Sequence, residues 1–384
     1  MKISENIYNI GVNDYKTDLF EGQYSVPNGM AYNSYVIIDE KIAVFDTVDA
    51  RFGGEWLEKL KNLLGTRKPD YLVVLHMEPD HSANILNFSK EFPSAQIVGN
   101  AKTFVMIAEY FGCDFAERRV VVNENDTLRL GSHSLKFIFA PMVHWPEVMV
   151  AYEEEEKVLF SADAFGKFGA LDASEDWDDE ARRYYIGIVG KYGVQVQGLF
   201  KKLADMPLDV ICPLHGPALK EEIPHCLDLY NKWSRYLPEV DGIMIAYASV
   251  YGNTRSAAEL LKSMLEGKGV KNVAIYDLAR SDRALCVAEA FKYSKIVLAT
   301  TTYNGDIFPA MREFLDWLTE RNFQNRTVAL IENGSWAPVA SRTVLKRLEK
   351  CKNLTFAENF VTIRAALNDD SRAKLAALAD ELAK

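Results

Sequence analysis

The C-terminal part of the chain alternates short apolar runs with helical patterns, and this alternation limits the fold more than any other feature. The apolar runs contain four or five residues, and the segments between them have the periodicity of helices. Such regular strand–helix alternation predicts a doubly wound parallel sheet. The predicted strands are Ile243–Ala246, Val273–Tyr276, Ile296–Ala299 and Thr327–Ile331, and the predicted helices are Thr254–Leu265, Ala284–Ala290, Ala310–Thr319 and Ser341–Lys350.

The N-terminal part has a different pattern, in which antiparallel and buried strands are mixed with helices. Tyr35–Asp39 and Ile42–Asp46 form a predicted hairpin, and the continuous apolar run Tyr71–Leu75 predicts a strand that is buried on both faces. A helical stretch from Asp178 to about Ala204 is expected to break at Gly193. We therefore predict a layered α/β sandwich in residues 1–240 and the doubly wound sheet in residues 242–384, with Pro238 and Gly242 marking the boundary.

Composition narrows the class of protein. No apolar run approaches the roughly 20 residues of a membrane span, and no signal peptide is visible, so we expect a cytoplasmic protein. The five cysteines include no CxxC pair, which argues against a disulfide framework, a zinc ribbon or a rubredoxin-type iron site. The net charge of -10 argues against nucleic-acid binding. This charge is uneven, at -14 in residues 1–241 and +4 in residues 242–384, which predicts two surfaces with different partners.

A dense group of metal-ligand side chains follows the buried strand. His76, Glu78 and Asp80 alternate along the chain, so on an extended backbone they would point the same way, whereas His81 would reach a second ion. Three further candidates also follow predicted strands. Four imidazoles and three carboxylates without a thiolate suit iron or manganese, and also zinc. These three further candidates are His144, Asp163 and His215.

The order of these residues resembles the metallo-β-lactamase superfamily over roughly residues 1–240, and Asp46 also matches its pattern. Hydrolases of that superfamily carry HxHxDH, but Glu78 makes the motif HxExDH here, which resembles the flavodiiron proteins. The resemblance implies that His76, Glu78 and His144 bind one iron ion and that Asp163 bridges to the other. It implies a second iron ion on Asp80, His81 and His215.

Three loops in the C-terminal part predict a flavin site. A hydroxyl- and glycine-containing loop precedes the first predicted helix, where backbone N–H groups can bind a phosphate, and it resembles the flavodoxin phosphate loop. Two later loops match the flavodoxin loops that flank the flavin ring, with Tyr303 and Trp336 as stacking candidates. The implied cofactor is noncovalent FMN. The predicted FMN-binding residues are Ser249, Val250, Tyr251, Gly252, Asn253, Thr254, Thr301, Thr302, Tyr303, Asn304, Gly305, Asn333, Gly334, Ser335, Trp336 and Ala337.

Together the two parts resemble the core of the flavodiiron proteins over almost the whole chain. The resemblance implies an oxidoreductase that reduces O2 to water, NO to N2O, or both, with electrons passing through FMN to two iron ions. A diferrous pair and FMN hydroquinone hold four electrons, enough for O2, and two electrons suffice for two NO molecules. The absence of a C-terminal cysteine-pair extension implies a separate rubredoxin-like donor. The family's dimer is head-to-tail, so we expect a homodimer or a dimer of dimers.

Two alternatives from other classes stay open. One is a metal-dependent hydrolase of the metallo-β-lactamase type with an accessory flavin domain, which Glu78 disfavours. The other is a redox carrier in which the metal domain is only a scaffold. The ligand set does not separate O2 from NO as the preferred substrate. Tyr192 follows Asp163 in a predicted helical segment and could offer a phenol to the site, but packing is the commoner role of such a residue, so we assign no proton donor.

Overall fold

Two sheets carry the strands of residues 1–231. The first is a mixed sheet of six strands. The three strands at one edge, which include the predicted hairpin, pair with one another in antiparallel orientation, and the remaining pairs of neighbouring strands are parallel. The predicted buried strand is confirmed in this sheet but is shorter, because regular pairing ends at Val73. In spatial order the strands are Ile7–Asn9, Tyr35–Ile38, Ile42–Phe45, Tyr71–Val73, Gln96–Gly99 and Arg119–Val121.

The second sheet has five strands, of which only the last pair is parallel. The two sheets face each other, since the rings of Phe45 and Phe160 stack with their centroids 4.0 Å apart. The predicted layered sandwich is therefore confirmed. The strands of the second sheet are Thr127–Arg129, Ser134–Phe139, Met149–Glu153, Val158–Phe160 and Val210–Cys212, and two short ribbons pair Val12–Asp14 with Met30–Tyr32 and Leu19–Phe20 with Tyr24–Ser25.

Helices connect these strands, and their ends follow local chemistry. The helix Ala101–Phe111 begins where the side chain of Asn100 accepts hydrogen bonds from the N–H groups of Lys102 and Thr103. It ends at Gly112, whose φ of 67° is the left-handed conformation that glycine adopts at low cost. The other helices of this unit are Gly53–Leu64, Pro79–Ser82, Ile85–Glu91, Trp177–Tyr184, Gly193–Leu203 and Ile223–Ser234, with a 3₁₀ turn at Ala50–Phe52.

The predicted break at Gly193 is wrong, because that residue begins a helix. The distortion lies earlier, as a π-helical turn at Tyr185–Val189 and a 3₁₀ turn at Gly190–Tyr192. The hydroxyl of Tyr24 donates a hydrogen bond to the Gly187 carbonyl at 2.8 Å. A side chain at Gly187 would meet the Tyr24 ring, so this close approach explains where the helix widens.

The structure is a computed structural model that describes residues 1–384. Its remaining residues, Lys232–Lys384, form a second compact unit. The predicted parallel sheet is confirmed. In spatial order its five main strands begin at Val273, Val240, Tyr293, Thr327 and Thr355, and a further strand that begins at Val361 pairs with the fourth. Strands extend further than predicted, so that Thr301, Thr302 and Asn333 are paired rather than in loops. The strands are Val240–Tyr247, Val273–Asp277, Tyr293–Tyr303, Asp306–Ile307, Thr327–Asn333, Thr355–Phe356 and Val361–Ile363.

Five helices cover this sheet on its two faces. Ile243, Ile245 and Tyr247 share a core with the helices Asn253–Gly267 and Asp369–Leu382. Side chains alternate along a strand, so the other three helices pack on the opposite face. These three are Arg283–Lys292, Pro309–Glu320 and Ala340–Leu348. No helix of the protein is long and apolar enough to cross a membrane.

His133 links three turns of the N-terminal unit through a buried ion-pair cluster. Its Nδ1 lies 2.8 Å from Asp39 Oδ2 and its Nε2 lies 3.2 Å from Glu156 Oε1, and the residue is 2% exposed. Burial alone lowers the pKa of His133, but the hydrogen bonds to Asp39 and Glu156 raise it above its ordinary value. The protonated imidazole therefore stabilises the contacts between these turns.

We expect the unfolding free energy to fall as the pH rises through the pKa of His133 in the folded protein. The pKa of about 6.5 in the unfolded chain is lower, so the contribution is complete below about pH 6.5 and is lost above the folded pKa. His133→Gln should remove this pH dependence and cost about 1–3 kcal/mol at pH 6. Urea unfolding between pH 6 and 9 measures the pH dependence and the loss of stability. His225→Gln, which changes an exposed histidine, is the control. Parallel curves for the wild type and His133→Gln would contradict this role.

Candidate metal centre and flavin site

The segment His76–His81 changes conformation halfway along. Glu78 is extended, with φ -59° and ψ 138°, but Pro79 begins a short helix that ends at Ser82. The expectation that His76, Glu78 and Asp80 project together from an extended chain is therefore wrong for Asp80. The helical turn places Asp80 beside His81 instead.

Asp46 fixes the start of this segment. Its Oδ1 accepts hydrogen bonds from the N–H groups of Leu75 at 2.8 Å and His76 at 3.2 Å. Burial raises the pKa of Asp46 to about 8. Asp46 thus holds the backbone at the end of the buried strand, and it thereby positions the backbone from which the His76 side chain extends.

Four of the seven candidate ligands form a first cluster, in which the ligand atoms all lie within 4.8 Å of one another. His144 Nε2 is 3.1 Å from both Glu78 Oε2 and Asp163 Oδ2. His76 Nε2 is 3.3 Å from the same Glu78 oxygen and 3.5 Å from the same Asp163 oxygen. Two imidazole nitrogens and two carboxylate oxygens therefore converge on one point.

The other three candidates form a second cluster of the same kind. The Nε2 atoms of His81 and His215 are 3.0 Å apart, and each is 3.3 Å from Asp80 Oδ2. Asp163 joins the two clusters, because its Oδ1 lies 3.5 Å from His81 Nε2 while its Oδ2 belongs to the first cluster. The structure thus brings together all seven side chains singled out in the sequence.

The outer nitrogens of the histidines differ in their partners. His76 Nδ1 lies 2.8 Å from Glu147 Oε1, an oxygen that also accepts the N–H of Met77 at 2.8 Å. His215 Nδ1 lies 2.7 Å from the Ala31 carbonyl oxygen, whereas His81 Nδ1 is buried without a hydrogen-bond partner. Donation from Nδ1 leaves the Nε2 lone pairs of His76 and His215 directed into the site.

Burial and neighbouring charges shift the pKa values of the site residues in opposite directions. Burial lowers the pKa of His81 to about 4, which keeps this imidazole neutral. Burial also lowers the pKa of His144, but hydrogen bonds that its imidazole donates to Asp163 and Glu78 raise the pKa to about 9. Burial would raise the pKa of Asp163, but the charge of His76 and the hydrogen bond donated by His144 hold it well below its ordinary range. Protons on these imidazoles and a metal ion would compete for the same nitrogens.

The donor set fits two divalent metal ions. Both oxygens of Asp80 and Oδ1 of Asp163 are buried without a hydrogen-bond partner, although ionised carboxylates require donors or cations. Two facing imidazole nitrogens 3.0 Å apart likewise require a cation or a proton between them. Nitrogen and oxygen ligands without sulfur suit iron, manganese or zinc.

Sequence reasoning missed two residues of this site. Glu147 carries no local signal, because its role depends on a contact with His76 across 71 positions of sequence. Tyr184 has a buried hydroxyl without a hydrogen-bond partner, and its ring centroid lies 5.4 Å from that of His215. Tyr184 therefore lies against a ligand of the centre, whereas Tyr192 lies in a 3₁₀ turn and has no ring contact with any ligand.

The predicted FMN loops surround one cavity of about 530 Å³ in the second unit. Fifteen of the sixteen predicted residues line it, and the exception is Gly252. Gly252 has a φ of 95° and turns the chain into the helix Asn253–Gly267, whose first turn has no side-chain cap. The backbone N–H groups of the first turn of this helix are thus available to an anion such as a phosphate.

One lining residue was missed by the sequence reasoning. Ala365 faces the cavity, and its N–H and carbonyl are both hydrogen-bonded to the side chain of Asn333, at 3.1 and 2.9 Å. It follows the strand Val361–Ile363 at the carboxyl edge of the parallel sheet. Recognising that last strand in the sequence would have indicated the residue.

Aromatic side chains stand at the rim of this cavity. Tyr251 is 94% exposed and Trp336 is 89% exposed, whereas Tyr303 is partly covered by Phe308, with ring centroids 5.5 Å apart. Large exposed aromatic rings beside a polar cavity fit a planar, partly apolar ligand such as the flavin ring.

We expect Trp336→Ala to weaken FMN binding up to about tenfold, since aromatic stacking contributes about 0.5–1.5 kcal/mol beyond burial. Quenching of FMN fluorescence during titration of the FMN-free protein measures the dissociation constant. Phe360→Ala removes another exposed aromatic ring that does not line the cavity, and serves as the control. Equal affinities for the two variants would exclude stacking by Trp336.

Known proteins resemble the chain in both parts. Residues 30–216 match the ODP family β-lactamase domain and residues 245–362 match flavodoxin. A nitric oxide reductase from Moorella thermoacetica is 29% identical over 94% of this chain and 92% of its own length. An anaerobic nitric oxide reductase flavorubredoxin from Escherichia coli O1:K1 is 28% identical over 90% of this chain and 74% of its own length.

Solved structures show the same fold. Rubredoxin oxygen:oxidoreductase from the anaerobe Desulfovibrio gigas gives a TM-score of 0.90 at 24% identity, covering 100% of this chain and 97% of that one. The flavodiiron protein from Giardia intestinalis gives a TM-score of 0.92 at 22% identity, covering 99% and 95% of the two chains.

Proposed function

We propose that this chain, a flavodiiron protein by its β-lactamase-like and flavodoxin domains, is an oxidoreductase that reduces O2, NO or both. The observation that carries the proposal is the pair of adjacent clusters joined by Asp163, in a protein that also has a flavodoxin cavity. A hydrolase needs the metal centre alone, whereas an electron-transfer enzyme needs both sites. The names of the relatives from Moorella and Escherichia point to the same chemistry.

Two iron ions fit the seven ligands, with one ion on His76, Glu78 and His144, the other on Asp80, His81 and His215, and Asp163 between them. These ions would bind the diatomic substrate and pass it electrons, which FMN would store and supply. Glu147 directs the Nε2 atom of His76 into the site. The side chain of Glu78 is 12% exposed, whereas those of His76, His81 and His215 are fully buried, so Glu78 lies on the more accessible side of the centre.

Tyr184 supplies a protonated hydroxyl beside the centre. Burial and the charges of Asp163, Glu78 and Asp80 raise its pKa well above the ordinary value, so the phenol keeps its proton at neutral pH. Reduction of O2 to water consumes protons as well as electrons. A neutral phenol can donate a hydrogen bond, and then a proton, to a reduced oxygen atom.

The partners we propose are a rubredoxin-like donor and a second copy of this chain. The relative named flavorubredoxin supports the donor class. No CxxC pair occurs among the five cysteines, so these residues do not themselves form a rubredoxin-type iron site. We propose a head-to-tail homodimer that brings the FMN of one copy beside the metal centre of the other. All five cysteines are free thiols, which supports a reducing cytoplasmic location.

The test is the consumption of NO without O2, compared with the consumption of O2, by one iron-loaded and FMN-loaded preparation with reduced rubredoxin. A large excess of the O2 rate would assign an oxygen scavenger, and a large excess of the NO rate would assign a nitric oxide reductase. Consumption of neither gas would contradict the proposal. Zinc in the centre together with ester or thioester turnover would then favour the hydrolase.

A further inference from the structure

The helix Ala340–Leu348 presents an unusual run of cations. Arg342 and Lys346 lie on this helix, and Lys350 lies two residues beyond its end. The three follow one another at intervals of four residues, are exposed, and have no carboxylate partner within 4.0 Å. Like charges at this spacing repel one another and destabilise a helix. On the helix Asn253–Gly267, by contrast, Arg255 pairs with Glu259 at 2.7 Å and Lys262 pairs with Glu266 at 3.7 Å.

These cations line one side of a groove of about 670 Å³, which we call the cationic groove. Its only carboxylate is that of Asp316, which lies 2.8 Å from the Arg347 guanidinium and is therefore neutralised. Glu349 adjoins the last cation but does not line the groove. The groove residues are Asp316, Thr319, Arg342, Thr343, Lys346, Arg347 and Lys350.

The cationic groove lies next to the flavin cavity. The helix begins three residues after Ala337, which lines that cavity, and the Val339 N–H donates to Thr302 Oγ1 at 2.9 Å. At its other end, Arg347 is 3.7 Å from Asp306, the residue that follows the second flavin loop. Both ends of the helix thus contact segments of the flavin loops, which places the cationic groove beside them.

We propose that the cationic groove is the docking surface for the acidic face of the electron donor, an inference that rests on the proposed function. A protein that delivers electrons to the flavin must approach the rim of its cavity. The residues 1–241 carry a net charge of -14 and would repel an acidic protein, so the groove directs it to the flavin instead. Complementary charge of this kind raises the association rate, and salt weakens the effect.

The experiment compares two triple variants that change the net charge equally. Arg342→Gln, Lys346→Gln and Lys350→Gln together neutralise the cationic groove. Lys271→Gln, Arg372→Gln and Lys384→Gln together neutralise exposed, unpaired cations beside or on the helices of the opposite face of the sheet. Stopped-flow absorbance follows the reduction of FMN in the loaded protein by a reduced rubredoxin of negative net charge. The same reaction with a small uncharged reductant monitors the flavin itself.

We expect the groove variant to be reduced by rubredoxin about tenfold or more slowly at low salt, with little dependence on ionic strength. The control variant should keep the wild-type rate and its fall with salt. Both should react normally with the small reductant. Equal rubredoxin rates for the two variants, or a wild-type rate that does not change with salt, would overturn the docking surface.

The proposed function is tested separately, since gas consumption driven by the small reductant does not need docking. If the groove variant consumes gas normally with that reductant and slowly with rubredoxin, both proposals stand. If rubredoxin reduces both variants equally while gas is consumed, only the docking surface fails. If rubredoxin does not reduce the wild type, the docking proposal and the donor class fail together.

Discussion

Asp163→Asn should lower the rate of NO or O2 reduction by more than about 100-fold and reduce the iron content below two ions per chain. The side chain is fully buried, with one oxygen in each cluster, at 3.1 Å from His144 Nε2 and 3.5 Å from His81 Nε2. Asparagine keeps the shape but supplies one neutral oxygen instead of two charged ones. Loss of a residue that only orients a ligand costs about 10- to 100-fold, and loss of a ligand shared by two ions should exceed this.

Iron analysis, gas consumption and FMN content of the purified variant measure this prediction. FMN content should not change, because the flavin cavity is built entirely from the second unit. Asp209→Asn, which neutralises an exposed carboxylate paired with Lys157 at 3.5 Å, is the matched control. Full iron content and full activity in Asp163→Asn would show that this carboxylate is not a bridging ligand.

Glu147→Gln should weaken iron binding about 10- to 100-fold without removing a ligand. The carboxylate holds His76 by its Nδ1 at 2.8 Å, and the charge of His76 in turn keeps the pKa of Glu147 low although burial would raise it. An amide oxygen can still accept the hydrogen bond, but it no longer stabilises a more electron-rich imidazole. The effect should fall on the ion bound by His76, Glu78 and His144.

Iron titration followed by Mössbauer spectroscopy distinguishes this role from simple packing, because only one of two iron signals should change. The exposed Glu155→Gln is the control. Two iron signals that change equally, or an unchanged affinity, would contradict a positioning role for Glu147.

The sequence indicated most of the centre because its ligands follow strands. The strands Val158–Phe160 and Val210–Cys212 are parallel neighbours, so Asp163 and His215, which follow them, lie at one edge of their sheet. The strand that ends at Val73 belongs to the facing sheet, so its ligands join them only through the packing of the two sheets. Asp80 was grouped differently because Pro79 begins a helix within a run that otherwise reads as extended. Glu147 and Tyr184 act through contacts distant in sequence, which no local pattern encodes.

The same limit applies to the fold. Long apolar strands and most helices were recognised, but the helix Asp369–Leu382 was missed although Asn368 and Ser371 form a capping box at its start. Short strands such as Ile7–Asn9 and Leu19–Phe20 have too few residues to show alternation. The helix Ile223–Ser234 was also missed. The widened helical turn near Gly187 depends on Tyr24, which is more than 160 positions away in the chain. Tertiary contact, rather than local preference, determines the backbone there.

The ligands of the centre come from four separated stretches of chain, which begin at His76 and end at His215. Two ions bound there would close three loops at once, as covalent cross-links do, and would remove conformational freedom from the unfolded chain. Ions that bind only the folded state also stabilise it by mass action. Iron supply would then control how long each molecule survives proteolysis as well as whether it can react, and a cell short of iron would lose the enzyme itself.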